Sequence, residues 1–222
     1  IIRGAIARAR ENDPNFSSSK VISIGVDTTG STVIPVDAAG TPLAFDPQFS
    51  DNPNAKVWLW KDHTAFRQAE QITSLAKEMR PQYLEKCGGT YSSEWWWSKI
   101  LRIRTIDSAV FDAAFSFVEH CDWLTAELAG DTNPLTLKRS ICAAGHKAMF
   151  NDQWGGLPDK EFLSALDPAL AELRDRLYDN AHASDQLAGT LCKKWANRLG
   201  LNEGVAIAVG AFDCHMGAVG SG

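Results

Sequence analysis

Apolar side chains recur at helical spacing in several separate stretches of the chain, and short β-branched runs lie between them. The spacing predicts helices over residues 1–10, 64–79, 122–129, 159–178 and 191–199, one that begins near residue 94, and a small-residue helix that begins near residue 214. The β-branched runs predict strands over residues 21–26, 33–36, 57–60 and 205–209. Strands followed by helices, in a chain without internal repeats or a linker, indicate an α/β fold with a mixed sheet under helices.

Local signals refine this pattern. Gly130 and Gly200 follow the last apolar positions of two predicted helices and are expected to end them. Residues 131–156 show no sustained period and are expected to be rich in loops. Trp58 and Trp60 stand two positions apart in a predicted strand, so we expect their side chains to share one face.

Composition and charge narrow the class of protein. The chain has 222 residues, 45% of them apolar and 22% charged, which is typical of a globular protein. Its net charge of −5 argues against a nucleic-acid partner. No apolar run approaches the ~18 residues of a membrane helix, and no membrane partner is expected. The five cysteines are odd in number and never spaced as CxxC, so we expect reduced thiols in a cytoplasmic protein.

Asp213 is the residue that the pattern favours most for chemistry. It follows the apolar run 205–209 at a turn that opens a helix, and open α/β sheets bind ligands beyond the carboxyl ends of their strands. Its carboxylate is suited either to accept a proton from a hydroxyl or to cap the helix, and both interpretations stay open. The adjacent Cys214 and His215 are a weaker candidate for a nucleophile, because neighbours on a helix point about 100° apart.

Lys147 and the tryptophans are further candidates for contact with a ligand. Lys147 follows two alanines, a glycine and His146, where a long cation either reaches a polar ligand or is simply solvated. Eight tryptophans are many for this length, and indole faces pack well on sugar rings, although an aromatic core explains them equally well. No glycine-rich phosphate loop is present, and no HxxxH or HExxH spacing predicts a metal site.

Seven motifs spread along the whole chain carry a family resemblance. In order they are GVDTTGST at 25–32, LWKDHT at 59–64, GTYSSEWWW at 89–97, CDW at 121–123, AGHK at 144–147, WGGLP at 154–158 and GAFDCHMGA at 210–218. Together they resemble the FGGY family of carbohydrate kinases. The AGHK and AFDCHMGA stretches are typical of the members that phosphorylate L-ribulose, whereas kinases of glycerol, xylulose and gluconate share only the general pattern.

The resemblance implies a fold, a reaction and a set of site residues. The expected fold is the ribonuclease H-like (actin-like) α/β fold, with a mixed sheet. The expected reaction is the ATP- and Mg²⁺-dependent phosphorylation of L-ribulose, a ketopentose, at its 5-hydroxyl in L-arabinose catabolism. On the family's pattern Asp213 is the catalytic base, and Trp60 and Lys147 line the sugar site. The turn at Thr29 and Gly30 approaches the sugar through its backbone.

The resemblance also bears on how much of the enzyme this chain contains. Residues 1–222 match the sugar-binding N-terminal domain of a two-domain kinase, without the family's first strands and without the nucleotide domain. We therefore expect the chain alone to be inactive, and its strand at 21–26 to have a free edge that favours self-association or a homo-oligomer. Two alternatives stay open: a kinase of another ketose or polyol, and a sugar-binding module without catalysis.

Overall fold

The computed structural model describes all residues from 1 to 222, as ten α-helices and seven short strands. The helices are α1 (Ile2–Asn12), α2 (Phe66–Met79), α3 (Trp96–Ile106), α4 (Ser108–Ala113), α5 (His120–Ala129), α6 (Ile141–Ala148), α7 (Lys160–Leu166), α8 (Pro168–Leu173), α9 (Lys193–Leu199) and α10 (Asp213–Ser221). The strands are β1 (Ser23–Ile24), β2 (Asp27–Thr28), β3 (Val33–Val36), β4 (Ser116–Glu119), β5 (Leu187–Thr190), β6 (Ala206–Ala208) and β7 (Ala211–Phe212).

The strands pair in a mixed pattern that brings two distant chain segments side by side. β6 is the middle strand of a three-stranded sheet, parallel to β1 and antiparallel to β5. β2 runs parallel to β7, and β3 runs antiparallel to β4. Because β2 ends at Thr28 and β7 at its partner Phe212, the turn at 29–32 and Asp213 leave the sheet at the same edge. β1 pairs on one side only.

Four hydrophobic clusters support this arrangement, of which two are large. The larger one lies among α2, α3, α7 and α8 and includes Trp97, Ile100 and Ile103 of α3. The smaller one joins α1, α5 and β6 through Ile6, Leu128 and other buried apolar residues. Each fully buried aliphatic side chain of this kind contributes roughly 1.5–3 kcal/mol of transfer free energy.

Most helices lie where the apolar spacing predicts them. α1, α2, α3, α5, α9 and α10 are confirmed to within a few residues, as are β3 and β6. Gly130 and Gly200 follow α5 and α9 in the left-handed conformation, with φ of 84° and 74°, and end those helices as expected. No helix is both long enough and apolar enough to cross a membrane. All five cysteines are free thiols.

The predicted strand over residues 57–60 is wrong. Only one isolated bridge joins Trp58 to Val33, and the chain then turns, with the Asp62 amide donating to the Leu59 carbonyl at 3.0 Å. The turn ends the alternation of side chains, so Trp58 is buried in the core whereas Trp60 is 47% exposed. The two indoles therefore do not share a face.

Other elements differ from the pattern as well. The predicted helix over 159–178 is divided into α7, α8 and a 3-10 turn, because Pro168 lacks an amide proton and starts a new helix that Asp167 caps. The strand predicted over 21–26 is reduced to β1, and β2 follows it separately. The region 131–156 is not all loop, since it contains α6. The helix α4 and the strands β4 and β5 were not predicted.

Candidate active site

A cavity of about 350 Å³ opens at the sheet edge where β2 and β7 end. It is lined by Thr29, Gly30, Trp60, Glu94, Lys147, Asp213 and Cys214. All five residues that the resemblance assigns to the site are among them, although they come from four separate stretches of the chain. The structure therefore brings the predicted residues together in one place.

Asp213 is the first residue of α10 and is exposed to the cavity. Its Oδ1 accepts a hydrogen bond from the Cys214 amide at 2.7 Å. The residue before it, Phe212, occupies the N-cap position, and no side chain caps the helix from there. Asp213 therefore follows the N-cap position, but its side chain still accepts a first-turn amide of α10 while it faces the cavity, which agrees with both interpretations of the sequence, cap and base. Its carboxylate lies at the N-terminal end of α10.

Lys147 enters the cavity from the end of α6, where a kink redirects the chain. Gly145 has φ −39° and ψ −116° inside that helix, so the last turn points away from the first. The backbone of this last turn is held from α3 and the segment before it: the Tyr91 hydroxyl donates to the Lys147 carbonyl, and the Trp97 indole N–H donates to the Ala148 carbonyl at 2.8 Å. The anchored backbone fixes where the lysine side chain starts.

The ammonium of Lys147 lies against an aromatic ring and very close to a glycine. Its Nζ is 4.9 Å from the centroid of the Phe212 ring, a cation–π distance. A Cβ atom on Gly30 would lie 2.9 Å from that Nζ and 3.0 Å from Cδ2 of Phe212. Only glycine therefore lets the turn backbone and the ammonium approach the cavity together. In the same turn, the hydroxyls of Thr29 and Thr32 are 3.0 Å apart and hydrogen-bonded.

The cavity lining contains two residues that the sequence does not assign to the sugar site. Glu94 is not predicted at all, and Cys214 is considered only as a nucleophile. Glu94 stands just before α3, and its Oε1 lies 3.4 Å from Nε2 of His63. It belongs to the SSEWWW motif, which is the one signal that could have drawn attention to it. Cys214 lines the cavity, but the His215 ring packs 5.8 Å from Phe212. The neighbour that a cysteine nucleophile would need as a base thus packs against an aromatic ring.

Two imidazoles lie beside this cavity without adding charge to it at neutral pH. The ring of His146 packs 5.2 Å from Trp95 and 6.0 Å from His215. Burial, and to a smaller extent the positive charge of Lys147, together lower the pKa of His146 to about 4. Burial also lowers the pKa of His215. Lys147 is therefore the one cation in the cavity lining, opposite the carboxylates of Glu94 and Asp213.

Comparison with known proteins identifies the family. The model of the N-terminal domain of the FGGY family of carbohydrate kinases matches residues 2–220. The chain belongs to this family. It is 51% identical over 219 residues to a ribulokinase from Vibrio parahaemolyticus, covering 98% of this chain and 39% of that protein. It is 42% identical over 209 residues to a ribulokinase from Shouchella clausii, covering 94% of this chain and 36% of that protein.

Solved structures agree on the fold of this FGGY domain. Glycerol kinase from Plasmodium falciparum with ADP superposes with a TM-score of 0.70 at 14% identity, covering 99% of this chain and 39% of that one. Xylulose kinase from Rhodospirillum rubrum superposes with a TM-score of 0.69 at 18% identity, covering 100% of this chain and 40% of that one. The expected actin-like α/β fold is thus confirmed. The chain spans about two fifths of the length of the relatives that it matches.

The side chains of this FGGY domain do not form a site for a divalent metal ion. No group of three or more His, Cys, Asp or Glu side chains is arranged to hold one. The cavity itself offers the two carboxylates of Asp213 and Glu94. We therefore assign no Mg²⁺ site to these residues.

Proposed function

We propose that the protein containing this chain is a kinase that transfers a phosphoryl group from ATP, with Mg²⁺, to the 5-hydroxyl of L-ribulose. The chain supplies the sugar-binding side of that reaction. The observation that carries the proposal is the convergence of Asp213, Lys147 and Trp60 on one cavity, in a chain 51% identical to a ribulokinase. A cytoplasmic location, a role in L-arabinose catabolism and a possible homo-oligomer belong to the same proposal and rest on the resemblance.

Five of the seven lining residues have a task in this reaction. The Asp213 carboxylate accepts the proton of the sugar hydroxyl while that oxygen forms its bond to phosphorus and the bond from phosphorus to the leaving ADP oxygen breaks. The Lys147 ammonium donates hydrogen bonds to oxygens of the sugar. The exposed indole of Trp60 packs on the carbon side of the sugar, and the backbone at Thr29 and Gly30 approaches its hydroxyls.

The size of the cavity supports a sugar rather than a nucleotide as its occupant. At about 350 Å³ it lies at the small end of the range for small-molecule pockets. Its lining combines a positively charged donor, Lys147, and two carboxylate acceptors, Asp213 and Glu94, with the aromatic face of Trp60. This combination suits a neutral compound with several hydroxyl groups. We assign ATP mainly to the rest of the protein, and we propose that residues 1–222 alone do not phosphorylate the sugar.

The test uses the complete reading frame, as wild type and as Asp213→Asn. ADP release is measured with L-ribulose, D-xylulose and glycerol, and sugar binding is measured by calorimetry. Because a positioned base typically contributes 10²–10⁴-fold, we expect kcat with L-ribulose to fall by about that factor, while the sugar Kd changes little. Glu203→Gln, the same type of substitution at an exposed residue remote from the cavity lining, is the control and should retain full turnover.

Each other outcome of this test selects a different interpretation. Equal turnover by Asp213→Asn removes that residue from the mechanism. A preference for D-xylulose or glycerol makes the protein a kinase of another ketose or polyol. Sugar binding without turnover by the wild type favours a binding module.

A further inference from the structure

Lys99 is a buried cation that the proposed reaction does not use. It lies in α3, and its side chain is completely buried. Lysine is almost never fully buried unless its charge is compensated, because desolvation of an ammonium is costly. No carboxylate forms an ion pair with it. Its Nζ donates instead to three backbone carbonyls: that of Ser31 at 2.5 Å, that of Leu59 at 2.7 Å and that of Trp58 at 3.4 Å.

These carbonyls belong to two separate segments that both line the cavity. Ser31 directly follows Gly30, and Leu59 directly precedes Trp60. The Leu59 carbonyl belongs to the peptide that joins Leu59 to Trp60, and the Ser31 carbonyl belongs to the next peptide after the one that joins Gly30 to Ser31. Three acceptors around one nitrogen require three N–H donors, which only the charged ammonium provides. Burial lowers the pKa of Lys99, and the negative charge of Glu119 opposes that lowering.

The turn that Lys99 contacts does not hold its shape by local preference alone. Ser31 has φ +51°, in the left-handed region that residues with a Cβ atom rarely adopt. Two hydrogen bonds hold Thr32 to the end of β4. Oε2 of Glu119 accepts a hydrogen bond from the Thr32 amide at 2.8 Å, and the His120 amide donates one to the Thr32 carbonyl at 2.9 Å. Directly after the turn, the backbone of Val33 pairs with that of Trp58. Lys99 adds the side-chain hydrogen bonds that link the turn itself to the segment at 58–60.

We infer that Lys99 is a positioning residue of the sugar site, whose ammonium ties the 29–32 turn to Trp60. The inference rests on the proposed function, in which a sugar occupies this cavity. Without the ammonium, the Ser31 and Leu59 carbonyls face each other without a donor and move apart or admit water. The backbone at Gly30 and the indole of Trp60 then no longer face the sugar at the same spacing. The nucleotide site, which we assign to the rest of the protein, is unaffected.

The test compares Lys99→Met with Ile103→Ala in the complete enzyme. Methionine fills most of the lysine volume but donates no hydrogen bond. Ile103 is fully buried one turn further along the same helix, so its truncation also destabilises the core without removing a donor from the cavity segments. For each variant the KM for sugar, the KM for ATP, kcat and the thermal midpoint Tm are measured.

We expect the KM of Lys99→Met for the sugar to rise at least tenfold, while its KM for ATP stays within twofold of wild type. Ile103→Ala should lower Tm and leave both KM values within twofold. A Lys99→Met enzyme that loses stability but retains its KM for sugar overturns the inference, because Lys99 then only supports the fold.

A second variant covers the case in which Lys99→Met does not fold. Lys99→Arg keeps the charge, but its wide planar guanidinium cannot meet the same carbonyls in the same geometry. Its KM for sugar should rise at least fivefold with the KM for ATP unchanged, and an unchanged KM for sugar overturns the inference. Failure of the proposed function is recognised separately, because the wild-type enzyme would then not phosphorylate L-ribulose.

Discussion

A single methyl group at Gly30 tests whether Lys147 binds the sugar. The Cβ atom that Gly30→Ala introduces would lie 2.9 Å from Nζ of Lys147 and 3.0 Å from Cδ2 of Phe212. Nonbonded contacts of this kind are optimal at about 3.5–4.0 Å, so full relief requires the ammonium to retreat by at least about 0.6 Å and the ring by about 0.5 Å. Because Nζ ends a flexible side chain, it moves more easily than the ring.

The effect on stability should be small. Gly30 does not have a positive φ, so alanine fits its backbone and reduces the entropy of the unfolded chain, which stabilises by about 0.4–1 kcal/mol. Overpacking against Phe212 costs about 1–3 kcal/mol in a rigid site. The net destabilisation should therefore lie between about zero and about 2.6 kcal/mol, towards the lower end because the flexible lysine side chain moves first.

The sugar affinity should fall by a comparable free energy. A hydrogen bond from a charged donor contributes about 1.5–3 kcal/mol, and displacement of its donor by more than half an ångström removes much of that. A loss of about 1–2 kcal/mol corresponds to a rise of roughly 5- to 30-fold in the sugar Kd. The KM for ATP should stay unchanged, since the displaced ammonium lies in the proposed sugar site and not in the nucleotide site.

The assay measures sugar Kd and Tm for Gly30→Ala, for Lys147→Met and for the double variant. Gly25→Ala is the matched control, because a Cβ atom on Gly25 meets no atom within 4 Å. If alanine acts through the lysine, it should weaken sugar binding in the wild-type background and have little further effect in the Lys147→Met background. Equal effects in both backgrounds, or unchanged sugar Kd in a folded Gly30→Ala enzyme, would refute the reasoning.

Two further predictions concern stability. Acidification from about pH 6.5 to 4.5 should lower the free energy of unfolding, because His146 takes up a proton in the unfolded chain while its lowered pKa keeps it neutral in the fold. Urea unfolding of His146→Gln should show a smaller loss of the free energy of unfolding over that pH range. A loss equal to that of the wild type contradicts this prediction. Gly40→Ala should destabilise by at least about 2 kcal/mol, since φ is +79° and the Cβ would lie 1.7 Å from the Thr132 carbonyl oxygen. A urea midpoint equal to that of Gly25→Ala would contradict this second prediction.

The helices could be predicted because their signals are local. In α2 the buried residues Ala69, Ile72 and Ala76 recur every three or four positions. The strands β4 and β5 could not, because their sequences, SFVE and LAGT, lack the β-branched run that marks β3, VIPV. Each is identified by a distant partner instead: Ser116 of β4 lies opposite Val36 of β3.

The site residues could be predicted only unevenly. Bottom-up reasoning favoured Asp213, because its position after an apolar run is itself a signal. Trp60, Lys147 and the Thr29–Gly30 turn required the family resemblance, since an exposed indole or lysine has no distinctive spacing. Neither the bottom-up reasoning nor the family resemblance predicts Lys99. Its partners are the backbone carbonyls of residues 31, 58 and 59, which would be present whatever the side chains at those positions.

The pairing of β2 with β7 explains why Asp213 and the 29–32 turn share one cavity. Thr28 lies opposite Phe212 in a parallel register, so the next residue of each strand, Thr29 and Asp213, leaves the sheet at the same level. Side chains alternate with a period of two, so a slip of one residue would exchange the faces of a whole strand. Phe212, which is fully buried and packs beside the Lys147 ammonium, resists that slip because its ring would lose its place in the core. The aromatic residue before the proposed base therefore keeps the register from which the base takes its position.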